Sequence, residues 1–295
     1  MNKTLQNYLF DKLCPNNKWE VNDIMKSLLR YYILKMPHKE VTDEEMRYPT
    51  NPPGMRAFLI KFFSRHYLQI QNSLVNYTCS DDFINILNTG KINILDIGSG
   101  PAVASLAITD ILINIIKYLT DIGEWQRGNR LKVNYMLNDT SGICLGTGQN
   151  MIKDYFRRIH NRAILYKYLL TIQKEFPENF NQLRRISLNS GFFDIAIFSY
   201  VISPLIEEKK YKSIIKGFHD IEGLCCDSAG ILILQDKYKK AMIQKIGNAI
   251  GIQSKKETSE QDIFPKRNEN ETYKYTYYSC MYMPKNKINK LYAVA

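Results

Sequence analysis

The chain has 295 residues, a net charge of +11 and six cysteines. Its 45% apolar and 12% aromatic content can bury a sizeable core, which excludes a disordered chain. The length fits one α/β domain of about 200 residues plus an added segment. The positive charge lies outside residues 91–150, which are balanced. A basic surface favours contact with polyanions, and a lysine-rich solvated surface accounts for it equally well.

Cys14, Cys79, Cys144, Cys225, Cys226 and Cys280 contain no CxxC pair, and the adjacent Cys225 and Cys226 are poorly spaced for one metal, so no metal site is expected. The stretch MNKTLQNYLFDKLC has no long apolar core and no small-residue cleavage site, so no secretory signal is read there. Reduced thiols in a cytoplasmic protein are the simplest expectation.

In chain order, residues 1–47 look helical, with Ile24, Leu28, Leu29, Tyr32 and Ile33 at helical spacing. Tyr48 to Gly54 contains Pro52 and Pro53 and is expected to be a loop. A second amphipathic helix is predicted from Met55 to Tyr77. Ile92 to Asp96 is a short apolar run entering a Gly-rich turn, which predicts a buried parallel strand. Ala102 to Leu119 is apolar but broken by Asp110 and Lys117, so it reads as a buried helix rather than a membrane span. Leu131–Asp139, Phe193–Ser199 and Gly230–Gln235 read as further strands, with helical segments near 147–175 and 207–222. The aromatic run Tyr273–Tyr282 follows a polar loop and reads as a terminal strand. No internal repeat is present. Alternating strands and helices predict a Rossmann-like, doubly wound α/β sheet. A helical segment over 1–88 would precede a ligand-binding domain over 89–295.

The strongest signal is Ile94-Leu95-Asp96-Ile97-Gly98-Ser99-Gly100-Pro101-Ala102. A strand that runs through glycines into a helix brings bare backbone and oriented N–H groups to a ligand. A dinucleotide fingerprint would need a third glycine at Val103 and fails there. Asp96, just before the first glycine, is awkward beside a pyrophosphate and suits a cationic ligand. A tight connection without ligand is the plain structural alternative.

The stretch D-I-G-S-G-P resembles motif I of class I methyltransferases. That resemblance implies a mostly parallel, seven-stranded sheet with an antiparallel terminal strand, and S-adenosylmethionine as methyl donor. It further implies that Asp96, Gly98, Ser99, Gly100 and Pro101 hold the donor's methionine and ribose part. Asp139, ending the next strand, would bind the ribose hydroxyls. Its distance from Asp96 is roughly twice what the simplest βαβ unit needs, and capping of the following helix is its alternative role. Asp139-Thr140-Ser141-Gly142-Ile143-Cys144-Leu145-Gly146-Thr147-Gly148 has the form D-x-S-x-x-x-L-x-x-G. With Phe193 to Ser203 and the terminal strand, it is similar to methyltransferase-like proteins associated with the small ribosomal subunit. This implies a donor-side role for Ser141 and RNA or a ribonucleoprotein as partner. The fifth strand ends in Gln235-Asp236, and the cysteine cluster many members carry is absent.

Ser199 and Tyr200 fall at the expected crevice of the sheet and are donor-binding candidates, with Tyr200 beside the methyl group or simply in the core. Arg157, Arg158, Arg162, Arg184 and Arg185 could form a phosphate-contacting face or a solvated one. Arg65, His66 and Tyr67 could close over the donor. Asn51-Pro52-Pro53-Gly54 lacks the aromatic residue of DNA amino-methylating motifs, so no DNA role is read. No side chain stands out as a catalytic base. Three functions remain open: methylation of RNA or a ribonucleoprotein, methylation of a small molecule under a helical lid, and a non-catalytic assembly factor.

Overall fold

The computed structural model describes residues 3–126, 128–159, 163–201, 211–265 and 272–284. Helices α1 (Lys3–Leu13), α2 (Asp23–Lys35) and α3 (Asp43–Arg47) open the chain, with a short strand β1 (Trp19–Glu20) between the first two. One long helix follows as α4 (Pro52–Phe58), a π-helical turn (Leu59–Phe63) and α5 (Ser64–Thr78), and α6 (Asp81–Asn88) completes the N-terminal part. The remainder alternates β2 (Lys91–Ile97), α7 (Val103–Asp121), β3 (Leu131–Asp139), α8 (Gly142–Arg158), β4 (Ile164–Gln173), α9 (Phe180–Ser190) and β5 (Phe193–Ser199). It then runs through α10 (Tyr211–Glu222), β6 (Cys225–Asp236), α11 (Lys240–Ile250), β7 (Lys255–Asp262) and β8 (Tyr273–Tyr282).

Among the described residues, eight strands form one sheet in the order β1-β7-β8-β6-β5-β2-β3-β4. All neighbours are parallel except the β8 pairs with β6 and β7. This is the expected doubly wound sheet with an antiparallel terminal strand, extended by β1, which pairs Trp19 with Gln261. A strand from the otherwise helical segment is thus built into the sheet. Helices α1, α2, α5, α7 and α8 bury their apolar stripes on one face; α9, α10 and α11 cover the other. Val103–Asp121 is long and apolar enough to cross a membrane, yet 78% of it is buried inside the protein. It is the central core helix.

Three local readings change. The proposed helical segment near 147–175 ends at Arg158, and Ile164–Gln173 is strand β4. Among the described residues β4 pairs only with β3, and its Tyr168 and Leu170 are exposed, so no continuous buried run marks it. The polar stretch before the terminal strand contains β7, whose inner residues Ser259 and Gln261 are buried and bonded to each other, Gln261 Nε2 donating at 2.8 Å. Glu257 of the same strand accepts from the hydroxyl of Tyr277 at 3.0 Å and the amide of Asn72 at 3.1 Å. A polar interior hides this strand from hydropathy. Finally, Asn51 to Gly54 begins a helix. Asn51 Oδ1 accepts from the Gly54 N–H at 2.8 Å, and the prolines occupy first-turn positions where no N–H is needed.

The N-terminal helices are fastened to the core by a buried carboxylate. Asp110, in α7, accepts from Tyr67 Oη at 3.0 Å, Gln71 Nε2 at 2.9 Å and Tyr155 Oη at 3.3 Å. Asn22, the cap of α2, donates to Tyr155 Oη at 3.2 Å. Removing the acceptor strands several buried donors. Asp110→Ala is expected to lower unfolding stability by about 3 kcal/mol or more in urea titration, with Asp110→Asn less damaging. Equal midpoints for Asp110→Ala and the parent chain would contradict this.

Candidate functional site

The order of the sheet reverses between β2 and β5, and ligands of open α/β sheets bind at the carboxyl ends of strands at such a point. Asp96, Asp139 and Ser199 end or nearly end β2, β3 and β5 there. Asp96 is 1% exposed. Its Oδ2 accepts from the Ser105 N–H at 3.0 Å and the Ser105 hydroxyl at 2.8 Å, in the first turn of α7. Its Oδ1 is buried with no hydrogen-bond partner. Burial pushes this carboxyl up to about 7, against the pull of the Ser105 bonds and with a small push from the charge of Asp139.

The turn that follows carries left-handed backbone at Gly98 (φ 64°), Gly100 (52°) and Ala102 (59°). Ser99 is buried and donates its N–H to Asn138 O at 2.9 Å, which ties the turn to β3. A Cβ on Gly98 would stand 2.5 Å from Val201 Cβ, so the glycine is required by close packing as well as by its φ. Above Gly100 the nearest group is Phe58 Cζ, 3.8 Å from where a Cβ would stand. Pro101 and Ala102 press on α8, where a Cβ on Gly148 would meet Ala102 at 2.9 Å. That contact explains the last glycine of the D-x-S-x-x-x-L-x-x-G stretch.

Asp139 is half-buried and faces the turn. Its Oδ2 accepts from the Gly100 N–H and its Oδ1 from the Ser141 N–H, both at 2.9 Å. Burial raises its pKa, opposed by these backbone bonds. The cap of α8 is Ser141, whose Oγ accepts from the Cys144 N–H at 3.3 Å and donates to the Pro49 carbonyl at 2.5 Å. Across the crevice, Tyr200 has a left-handed φ of 61° and donates its N–H to Leu234 O at 3.0 Å. Its ring stacks on His66 with centroids 3.9 Å apart, and its hydroxyl donates to Gln69 Oε1.

The nine candidates thus collect at one edge of the sheet, with Pro49, Phe58 and His66 from the N-terminal helices against them. Of the trio ahead of the strand, Arg65 and His66 lie toward Tyr200, whereas Tyr67 points away into the Asp110 network. Ser105, Phe58 and Val201 belong to the site and were not legible as such; Ser105, in the first helical turn after the glycines, had a positional signal. The arginines divide. Arg157 pairs with Asp154 at 2.9 Å and Arg158 donates to Ser27 at 2.9 Å on the α8 face, while Arg184 and Arg185 are exposed on α9 across the sheet. They do not form one surface; Arg162, like Ile202 and Ser203, lies outside the described residues.

The residues fit the donor the motif implies. Asp96 offers an unanswered buried oxygen for a cationic group, and Asp139 keeps acceptor capacity beyond its two backbone bonds.

The strand order and the helices on both faces of the sheet define a Rossmann-like, doubly wound α/β fold. No family model matches the chain, and no curated protein matches it in sequence. Among solved structures, a precorrin-6y C5,15-methyltransferase from Geobacter metallireducens GS-15 is 11% identical, with a TM-score of 0.39 over 70% of this chain and 88% of its own. The ribosomal protein L11 methylase of Lactobacillus delbrueckii subsp. bulgaricus is 7% identical, with a TM-score of 0.40 over 77% and 82%. The N-methyltransferase NodS of Bradyrhizobium japonicum WM9 is 9% identical, with a TM-score of 0.40 over 75% and 98%. Likeness at this level says nothing of substrate or of individual residues.

The raised pKa of Asp96 has a consequence for stability. The unfolded carboxyl ionises near 3.8 and the folded one near 7, so stability falls as pH rises between these values. Asp96→Asn removes that dependence. It is expected to match the parent chain at pH 4 and to melt at higher temperature at pH 8, by scanning calorimetry. A lower melting temperature at pH 8 would contradict the assignment.

Proposed function

We propose that this protein is an S-adenosylmethionine-dependent methyltransferase whose acceptor is RNA or a ribonucleoprotein, acting in the cytoplasm. The observation that carries the reading is Asp96 Oδ1, buried and unpartnered at the switch point beside the Gly98–Ala102 turn. A neutral ligand leaves that oxygen's desolvation uncompensated; an ammonium group near a sulfonium answers it.

When bound, S-adenosylmethionine supplies a methyl group on a positively charged sulfur, open to in-line displacement. Asp96 would take the ammonium, and the backbone of Gly98, Ser99, Gly100 and Pro101 would hold the methionine and ribose part. Asp139, already oriented by the Gly100 and Ser141 N–H groups, accepts from the ribose hydroxyls. Ser141 holds Asp139 in that orientation. Ser199 and Tyr200 border the amino-acid and methyl end from β5. The protein's work is alignment and exclusion of water, which Phe58 and Val201 supply by packing on Gly100 and Gly98, with Pro49 against Ser141 at the start of α8. The RNA acceptor rests on the net charge of +11 and on the resemblance of the Asp139–Gly148 stretch. The small ribosomal subunit is the particular ribonucleoprotein that stretch suggests.

Binding a cation beside a carboxyl that titrates near 7 fixes its ionised form and releases a proton. Affinity for S-adenosylmethionine, measured by titration calorimetry, is therefore expected to rise from pH 6 to pH 8. Asp96→Ala and Asp139→Ala are each expected to weaken it by about tenfold or more without unfolding the chain. Unchanged affinity in both variants overturns the assignment. Labelled methyl transfer into cell extract then reads the acceptor: nuclease-sensitive label is expected. Label that survives nuclease and protease in the small-molecule fraction excludes RNA.

A further inference from the structure

A second group of side chains comes together at the carboxyl end of β5, beyond Ser199. Phe62, His66 and Tyr200 form a row of rings: Phe62 stacks on His66 with centroids 5.7 Å apart and 29° between planes, and His66 on Tyr200 at 3.9 Å and 16°. The Arg65 guanidinium lies 5.1 Å from the Phe62 centroid and 5.5 Å from that of Tyr275. All four residues of the row, Arg65 included, are only partly buried. They stand on the β5 side of the Gly98–Ala102 turn, opposite Asp139.

Two features of the backbone converge on this row. The long N-terminal helix carries its π-helical turn at Leu59–Phe63, directly after Phe58, the residue over Gly100. Such turns are rare and are found frequently at functional sites. Tyr200 holds a left-handed conformation that glycine adopts freely and that costs a side-chain-bearing residue about 1–2 kcal/mol. His66 is also uncharged at neutral pH, since burial and the charge of Arg65 hold its pKa well below the usual value. The row is therefore a set of neutral π faces flanked by one fixed cation.

We propose that Phe62, Arg65, His66 and Tyr200 form the methyl-acceptor subsite and that it receives a nucleotide: an unpaired base against the rings, with its phosphate on Arg65. This rests on the methyltransferase reading and specifies its acceptor. Bases inside a duplex present no free face, whereas unpaired bases stack on aromatic rings and on guanidinium planes. Tyr200 joins the two halves of the site. Its backbone borders the donor and its ring borders the acceptor, which brings the reacting groups together at the end of β5.

The test uses the full chain with three probes: a labelled single-stranded RNA followed by anisotropy, a blunt RNA duplex, and adenosine monophosphate. Base stacking contributes about 1–3 kcal/mol per base, so Phe62→Leu is expected to weaken single-stranded RNA by about fivefold or more. Phe62→Tyr keeps the ring and is expected to bind like the parent chain. Arg65→Gln is expected to weaken binding and flatten its salt dependence. S-adenosylmethionine affinity is expected to stay within about twofold in all three, which separates this subsite from the donor half. Tighter binding of RNA than of adenosine monophosphate identifies a strand as the source, and the reverse identifies a free nucleotide. The proposal is overturned if the parent chain binds neither, if the duplex binds as well as the single strand, or if Phe62→Leu and Arg65→Gln change nothing. Failure of the parent chain to bind S-adenosylmethionine would instead remove the methyltransferase reading, and dependence of RNA binding on Phe62 would be read apart from it.

Discussion

A carboxylate sunk beneath the first turn of α7, with one oxygen held by Ser105 and the other left without a partner, sets the terms for the rest of the site. An ionised group in such a place is costly unless something compensates it. Part of the compensation is built in, as two hydrogen bonds from one serine. The other oxygen has no partner within the protein. The left-handed residues at Gly98, Gly100 and Ala102 let the chain reverse around this carboxylate and deliver α7 directly over it.

The second carboxylate plays a different part. Asp139 faces the same turn from β3, but both its oxygens are already engaged by backbone N–H groups. It is oriented, half-exposed and able to accept more, whereas Asp96 is buried and incompletely answered. Two acids at one edge of one sheet thus acquire separate chemistries from their surroundings. The N-terminal helices complete the division. Pro49 accepts from Ser141 on the β3 side, while Phe58 stands over Gly100 and His66 stacks on Tyr200 on the β5 side. Anchored by Asp110 beneath, this segment is part of the sheet's own core, and β1 is one of its strands.

Legibility followed the hydrophobic pattern. Strands β2, β3, β5, β6 and β8 announced themselves because central strands are buried on both faces and read as apolar runs. β4 and β7 did not. One is a half-exposed edge; the other turns Ser259 and Gln261 into a polar interior that no hydropathy pattern records. The Asn51 turn was misread because proline there signals a break along the chain, while its actual place is the first turn of a helix.

The sequence by itself determined the strand–glycine–helix turn, because a carboxylate before two glycines is a local pattern whose geometry depends on neighbours in the chain. It determined the alternation of strands and helices, and so the α/β class, in the same way, through alternating apolar runs. Only the tertiary structure decided that Asp96 leaves one oxygen unpaired, that Asp139 caps the turn and not its own helix, and that Tyr200 stacks on His66. Those are contacts between residues far apart in the chain. Burial, which gives them their energies, exists only once the layers have packed.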